Sequence, residues 1–442
     1  MTQFTDLGLS GPILQALAAA DYDTPTPIQA QAIPLVLQGK DLLGIAQTGT
    51  GKTAAFTLPS LDILARANKR PGQRSCRMLV LSPTRELASQ IADNATRYAR
   101  FLPINITTAF GGVPIGKQQR ALAGGVDILV ATPGRLIDLI ENRMLSLDKV
   151  EILVLDEADQ MMDLGFIHAL RRIVGLLPRQ RQTLFFSATM PSAIKDLAGK
   201  FLKDPVQVAV TPVASTAEKV EQRGIFVNQP EKQALLTLTL RNDREMERVL
   251  IFSRTKHGAD RIVKLLSQSG IPANAIHGNK SQPQRERSLA EFRSGKAKIL
   301  VATDIAARGI DVTGVSHVVN FDMPPVPEQY VHRIGRTARA GAAGVAISFI
   351  APDERPYLKG IERLTGSHLK MLPLPDNFIQ EANRVKATRV STPEQVAEET
   401  REANRPATPQ RRRKAPQQPR GPLNTHRARR RASQSGSSQP AR

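Results

Sequence analysis

The sequence predicts an α/β chain of two tandem domains, each built on a parallel sheet, followed by a basic disordered tail. Three observations predict it. Short β-branched runs alternate with helix-length patterns, which is the signature of βαβ units. Several runs are apolar at every position, as in Ile152-Leu153-Val154-Leu155, and that suits strands covered on both faces. The pattern also breaks once, near residue 211, and then begins again.

In the first half, strands are expected at Asp41–Ala46, Arg77–Ser82, Ile106–Phe110, Asp127–Ala131, Glu151–Leu155, Gln182–Phe186 and Val206–Val210. The break, Thr211-Pro212-Val213-Ala214-Ser215-Thr216-Ala217, holds small and turn residues without periodicity and reads as a linker. In the second half, strands are expected at Gly224–Val227, Arg248–Phe252, Ala273–Ile276, Lys298–Val301, His317–Asn320 and Val345–Ile350. Apolar spacing fades after Pro373, and from Ser391 onward Pro, Gln, Arg, Ser and Ala dominate. No core can form from that composition. The expected division is therefore 1–210, a linker at 211–218, a second domain at 219–373 and a disordered tail at 374–442.

Composition narrows the function. The chain has 442 residues and a formal charge of +21. From Arg401 to Arg442 twelve Arg and Lys face the single acid Glu402, so this short tail carries +11 of that excess. Such a balance favours a polyanionic partner, with nucleic acid first among candidates. No run of about 18 or more apolar residues occurs, so neither a transmembrane helix nor a membrane partner is expected. The N-terminus lacks the charged start and apolar run of a signal peptide. The lone Cys76 excludes an internal disulfide and a thiolate metal cluster, and a cytoplasmic setting is expected.

The chemistry concentrates in two motifs. Ala46-Gln47-Thr48-Gly49-Thr50-Gly51-Lys52-Thr53 follows a predicted strand and precedes a helical stretch, Thr53–Leu58, the context a phosphate loop needs. Gly49 and Gly51 let backbone N–H groups turn toward phosphate. Lys52 brings a point charge to the β and γ phosphates, and the Thr53 hydroxyl can ligate Mg²⁺. Asp156-Glu157-Ala158-Asp159 sits at the carboxyl end of the buried run Ile152–Leu155, where such sheets bind ligands. Asp156 is placed to hold Mg²⁺ and Glu157 to orient or deprotonate water. Upstream, Gln29 has the amide that can read an adenine edge, with Tyr22 near enough to stack. On residue chemistry alone a Pro-rich turn explains that segment better.

With these motifs in view, residues of about 4–370 resemble the DEAD-box ATP-dependent RNA helicases. The resemblance runs through Tyr22–Gln29 with Phe4 upstream, the phosphate loop, Pro83-Thr84-Arg85-Glu86-Leu87-Ala88, Gly111-Gly112, Thr132-Pro133-Gly134-Arg135, Asp156–Asp159 and Ser187-Ala188-Thr189. It continues in Leu250–Ser253, Gln284-Arg285-Glu286-Arg287, Ala302–Asp311 and His332–Arg339. Arg254–Ala259 and Ile276–Gln282 are similar to the bacterial RhlE-like subgroup. Ala338 and Asp21 stand where that family usually has Gly.

The resemblance implies two RecA-like domains that close on ATP and Mg²⁺. It implies that Arg336 and Arg339 reach the γ-phosphate as arginine fingers, that Asp311 bonds the ribose, and that Asp159, Ser187, Thr189 and His332 couple the domains. It assigns RNA contact to Thr84, Arg85, Gly112, Thr132, Arg135, Gln284, Arg287 and Thr303. These hydroxyl, amide and guanidinium donors suit phosphates and 2′-hydroxyls more than base edges. The expected activity is RNA-stimulated ATP hydrolysis with local, non-processive duplex separation. An ATP-gated RNA clamp or remodelling scaffold with little unwinding is the alternative. Ribosome biogenesis and RNA-decay assemblies are family-typical settings.

Overall fold

The computed structural model describes residues 2–47, 49–210, 220–243, 245–307, 312, 314–338 and 344–390. The chain divides into two units, Met1–Ala387 and Thr388–Arg442. Both sheets belong to the first. The expected linker at 211–218 and the tail beyond 390 lie outside the described residues.

In the first half, α1 (Gly11–Ala18) and α2 (Pro27–Leu37) lead into β1 (Leu42–Ile45). Then come α3 (Lys52–Arg66), β2 (Cys76–Leu81), α4 (Arg85–Tyr98), β3 (Ile106–Ala109), α5 (Ile115–Leu122), β4 (Val126–Ala131) and α6 (Pro133–Glu141). They are followed by β5 (Ile152–Leu155), α7 (Ala158–Asp163), α8 (Ile167–Gly175), β6 (Gln182–Ser187), α9 (Ser192–Phe201) and β7 (Val206–Ala209). The second half contributes β8 (Val220–Phe226), β9 (Val249–Phe252), β10 (Asn274–Ile276), β11 (Ile299–Ala302), β12 (His317–Asn320), β13 (Gly344–Ile350) and β14 (Lys370–Met371), with helices between most of them.

The strands form two seven-stranded sheets, ordered β3-β4-β2-β5-β6-β1-β7 and β10-β11-β9-β12-β13-β8-β14. Every pair is parallel. Alternation along each strand feeds two cores. Met78, Val80, Ile152 and Val154 face one layer of helices. Leu79, Leu81, Leu153 and Leu155 face the other. Burial on both faces is why these runs are apolar at every position. The second sheet behaves alike, with Val249 and Ile251 on one side and Leu250 and Phe252 on the other.

Register brings the strand ends level. Leu81 pairs with Leu155, Leu155 with Phe185, and Leu81 also with Ala131. The residues that follow β1, β2, β4, β5 and β6 therefore emerge along one edge. That edge is where open parallel sheets bind ligands.

Two expectations need correction. The apolar pattern pointed to a disordered tail from 374, yet Phe378–Val390 is a helix. Phe378 and Val385 are buried in the second-domain core, and Ala382 packs against it. The helix turns Phe378, Ala382 and Val385 to the core, while Ile379 is exposed and polar and charged residues are interspersed. β14 was also unforeseen; it is a two-residue exposed edge strand beside β8.

Candidate active site

The phosphate loop is built by a strand that ends against β6 and a helix that begins with a left-handed residue. Ala46 donates its N–H to the Ser187 carbonyl at 3.1 Å. Gly49 and Gly51 have φ of 87° and 95°. Gly51 caps α3 in that conformation. A side chain there would also fall 2.3 Å from Gln29 Nε2, so glycine is required for both reasons. The Thr50 hydroxyl donates to the Gln47 carbonyl at 2.8 Å, closing the loop on itself. Thr48 lies outside the described residues.

Lys52 begins α3 and points at Asp156, with Nζ and Oδ1 3.8 Å apart and both side chains nearly buried. That separation is an ion pair but too long for a hydrogen bond, and among the described residues neither atom has a hydrogen-bond partner. Two buried, opposite charges without hydrogen-bond partners retain donor and acceptor capacity for a charged ligand. Burial raises the Asp156 carboxyl to about 6, Lys52 pulls it down, and Glu157 raises it again. Glu157 is 1% exposed and adopts left-handed backbone, φ 54°. A non-glycine residue in that region is strained, and such strain collects at functional sites.

Asp159 performs the connecting task. Its Oδ2 accepts from Ala188 N at 3.1 Å and from both Thr189 N and Oγ1 at 3.0 Å. Oδ1 takes Gln160 N at 3.0 Å. Ser187 Oγ donates to the Thr189 carbonyl at 2.8 Å. The end of β5 and the end of β6 are thus one hydrogen-bonded unit.

Gln29 is hydrogen-bonded through both ends of its amide. Its Oε1 accepts from Thr26 N at 2.8 Å, while Nε2 donates to the Gly51 carbonyl at 3.0 Å and to the Tyr22 hydroxyl. It therefore ties the phosphate loop to the upstream segment, and Oε1 keeps a second lone pair that can accept from a base amine. Burial raises the Tyr22 hydroxyl above its ordinary value, with the Gln29 bond opposing. The Phe4 and Tyr22 rings pack at 5.2 Å.

The residues after β2, β3 and β4 form a second group beside the first. Thr84 caps α4, accepting from Leu87 N at 3.3 Å. Arg85 lies against the glycine pair: a Cβ on Gly112 would sit 1.8 Å from Arg85 Nη1. Arg135 Nη1 donates to the Val113 carbonyl at 3.1 Å and to Gln118 Oε1 at 3.0 Å. Thr132 begins α6 as its N-cap. Burial lowers the Arg85 guanidinium from its usual value, the charges of Arg285 and Arg135 lower it further, and Glu86 opposes them. Arg285 comes from the second half and pairs with Glu86 at 2.9 Å. Repelling guanidiniums gathered at one place are suited to an anionic backbone.

In the second half, Phe252, Asp304, Ala307, Gln329, His332, Arg333 and Arg336 line a small cavity. Arg333 is its pillar, a role not foreseen from the motif. It forks onto Asp304 at 2.6 and 2.7 Å, donates to the Asp322 carbonyl at 2.6 Å, and lies over the Phe252 ring. Arg336 is 4% exposed and donates from Nε to the His332 carbonyl at 3.2 Å. Gln284 accepts from Ser281 N at 3.0 Å, a helix-capping task. Arg287 is exposed on the same helix, and Thr303 follows β11. Arg339 and Asp311 lie outside the described residues.

Two α/β halves with a phosphate loop in one and arginines in the other define a nucleotide-driven two-domain motor. Residues 26–197 match the DEAD/DEAH box helicase family and residues 230–341 the helicase conserved C-terminal domain. The chain belongs to the DEAD-box helicases. It is 43% identical over 370 residues to the DEAD-box ATP-dependent RNA helicase CshA of Streptococcus pneumoniae, covering 84% of this chain and 70% of that protein. The ATP-dependent RNA helicase CshA of Listeria monocytogenes is 40% identical over 399 residues, covering 90% and 76%. Among solved structures, S. cerevisiae Dbp5 bound to RNA and ADP BeF3 superposes with a TM-score of 0.76 at 30% identity, covering 88% of this chain and 99% of that one.

Proposed function

We propose that this chain is an ATP-dependent RNA helicase that grips one strand through its backbone and separates short duplexes locally. The observation that carries this reading is the Lys52–Asp156 pair, buried and held at 3.8 Å, on the same sheet edge as the Arg85–Arg135 group. ATP phosphates would enter between Lys52 and the loop N–H groups. Asp156 and Thr53 would hold Mg²⁺. Among the described residues no cluster of His, Cys, Asp or Glu forms a metal cage, which suits Mg²⁺, a cation bound by one carboxylate together with phosphates and water. When bound, it neutralises phosphate charge. Glu157 orients the attacking water, and Arg336 with Arg339 stabilises the transferring group once it leaves the His332 carbonyl.

Asp159 carries the state of this site to Thr189 and Ala188. Thr84, Arg85, Gly112, Thr132, Arg135, Gln284, Arg287 and Thr303 hold the RNA backbone without reading bases. The substrate set is therefore broad, and we place it in ribosomal or RNA-decay assemblies of the cytoplasm, in a RhlE-like subgroup marked by Arg254–Ala259 and Ile276–Gln282. The lone buried Cys76 supports the reducing compartment.

Glu157→Gln tests the core of this reading. Turnover should fall by about 100-fold or more, the loss expected for a general base. ATP binding should persist, and RNA should be retained longer with ATP present. Near-normal turnover would refute the assigned role. Release of a short duplex by the native chain with ATP separates a helicase from a static clamp.

A further inference from the structure

We infer that Gln118 is a positioning residue that sets the orientation of Arg135 against RNA. This rests on the reading of Arg135 as an RNA contact. The geometry begins with the helix. α5 buries Leu122 fully, and Ile115 packs against the same core. Positions 115, 118 and 122 fall on one face of a helix. The middle one is a glutamine, 7% exposed, where that face otherwise holds apolar residues. A buried amide needs partners, and both ends of Gln118 have them. Nε2 donates to the Phe110 carbonyl at 2.9 Å, and Oε1 accepts from Arg135 Nη1 at 3.0 Å.

Phe110 directly precedes Gly111-Gly112, and Arg135 closes the other side of that loop through the Val113 carbonyl at 3.1 Å. One amide therefore joins three segments: the loop after β3, α5, and the first turn of α6. With Nη1 held on two oxygens from different segments, the guanidinium plane has a single orientation. Its side chain remains 11% exposed, so it is held rather than hidden. Arg85 lies across the same loop, packed on Gly112. Gln118 thus holds the loop that separates the two arginines and aims one of them.

A residue acting through Arg135 should change how much RNA is needed, not the chemistry of ATP. The test is RNA-stimulated ATPase on the full chain with Gln118→Met, Arg135→Ala and the double variant. Gln118→Met keeps the side-chain length and removes both hydrogen bonds. The RNA concentration for half-maximal turnover should rise about tenfold, the scale of one charge-assisted hydrogen bond. Turnover at saturating RNA should stay within about twofold, because an unaltered closed state is still reached. In the double variant Gln118→Met should add nothing to Arg135→Ala. Additive effects, or unchanged half-saturation with Gln118→Met while Arg135→Ala weakens binding, would overturn the positioning role alone. No effect of Arg135→Ala would overturn the RNA contact and this role together.

If Gln118→Met lowers stability enough to obscure the assay, Gln118→Glu decides it. The carboxylate still accepts from Arg135 but neutralises its charge and cannot donate to Phe110. RNA binding should weaken, and its salt slope should drop by about 0.7, the value of one phosphate contact on a single strand. An unchanged slope and affinity would overturn the inference.

Discussion

Asp156 sits where burial and function pull in opposite directions. Without nucleotide its carboxyl holds a proton up to about pH 6, whereas the free side chain loses it near 3.8. Between those values the folded state binds more protons than the unfolded state. Stability contributed by this group therefore falls as pH rises from about 4 to 6 and is flat above. Asp156→Asn removes that loss. Nucleotide-free urea melts should show the variant more stable than the native chain at pH 7.5, by up to about 3 kcal/mol at 1.36 kcal/mol per unit. The two should converge near pH 4. A gap independent of pH would show that the carboxyl is not raised.

Ala338 makes a related case. It has φ 54° in the arginine motif, and a Cβ in left-handed backbone costs about 1 kcal/mol. Its N–H lies so close to Gly344 that a side chain there would fall at 2.6 Å. Ala338→Gly should raise the melting temperature slightly, since a stability gain of up to about 1 kcal/mol is available. Faster RNA-stimulated turnover in that variant would show the natural alanine to be a restraint. A lowered melting temperature would show instead that the strain is absent. Asp21, the other departure from glycine, has φ 51°, and Asp tolerates that region better than most residues.

Among the elements, the helix Phe378–Val390 has the most to reveal. Its apolar contacts are few, but Phe378 and Val385 are 6% and 8% exposed against the second-domain core. Glu381 accepts from Arg384 at 2.6 and 2.8 Å, and Arg241 lies 3.7 Å away. Ending the chain after Asp376 should destabilise the second domain by about 2–4 kcal/mol, the range for losing two buried side chains less the order they required. Ending it after Val390 should not. Thermal melts of the two truncations would check this, and equal stability would mean that the helix only rests on the surface. The helix was not legible because its apolar residues are mixed among polar and charged ones, and only tertiary contact singles out Phe378, Ala382 and Val385 as a core face. The central strands of both sheets were legible, since burial on both faces leaves uninterrupted apolar runs such as Ile152–Leu155 and Ile299–Ala302, whereas the exposed edge strand Lys370–Met371 leaves none.

For the molecule as a whole, the uneven charge matters most. Residues 401–442 hold +11 of the net +21 and no composition from which a core could form. Tethered to the second domain, such a segment adds phosphate contacts without geometry and raises the local concentration of RNA. Deleting Arg401–Arg442 should weaken RNA binding and flatten its salt dependence by about 0.7 for each phosphate no longer neutralised. More RNA should be needed for half-maximal ATPase, with the rate at saturation nearly intact. Unchanged affinity and slope would make the tail a solubility or protein-docking segment.

Contiguous chemistry was readable from the chain alone. The phosphate loop, Asp156–Asp159 and the arginine motif each occupy a few successive residues whose spacing is set by one turn or one strand end. The positions of the first two along the level edge of the first sheet follow from strands that all run parallel. The tertiary fold determined the partnerships. Gln118 meets Arg135 across 17 residues, Arg333 meets Asp304 across 29, and Gln29 meets Gly51 across 22. No local pattern encodes such distances, because they depend on how β strands are ordered and how helices settle over them. The proton affinity of Asp156 belongs with these. It comes from the loss of water around a carboxylate that Lys52 approaches without touching, a property of the packed site and not of any residue in it.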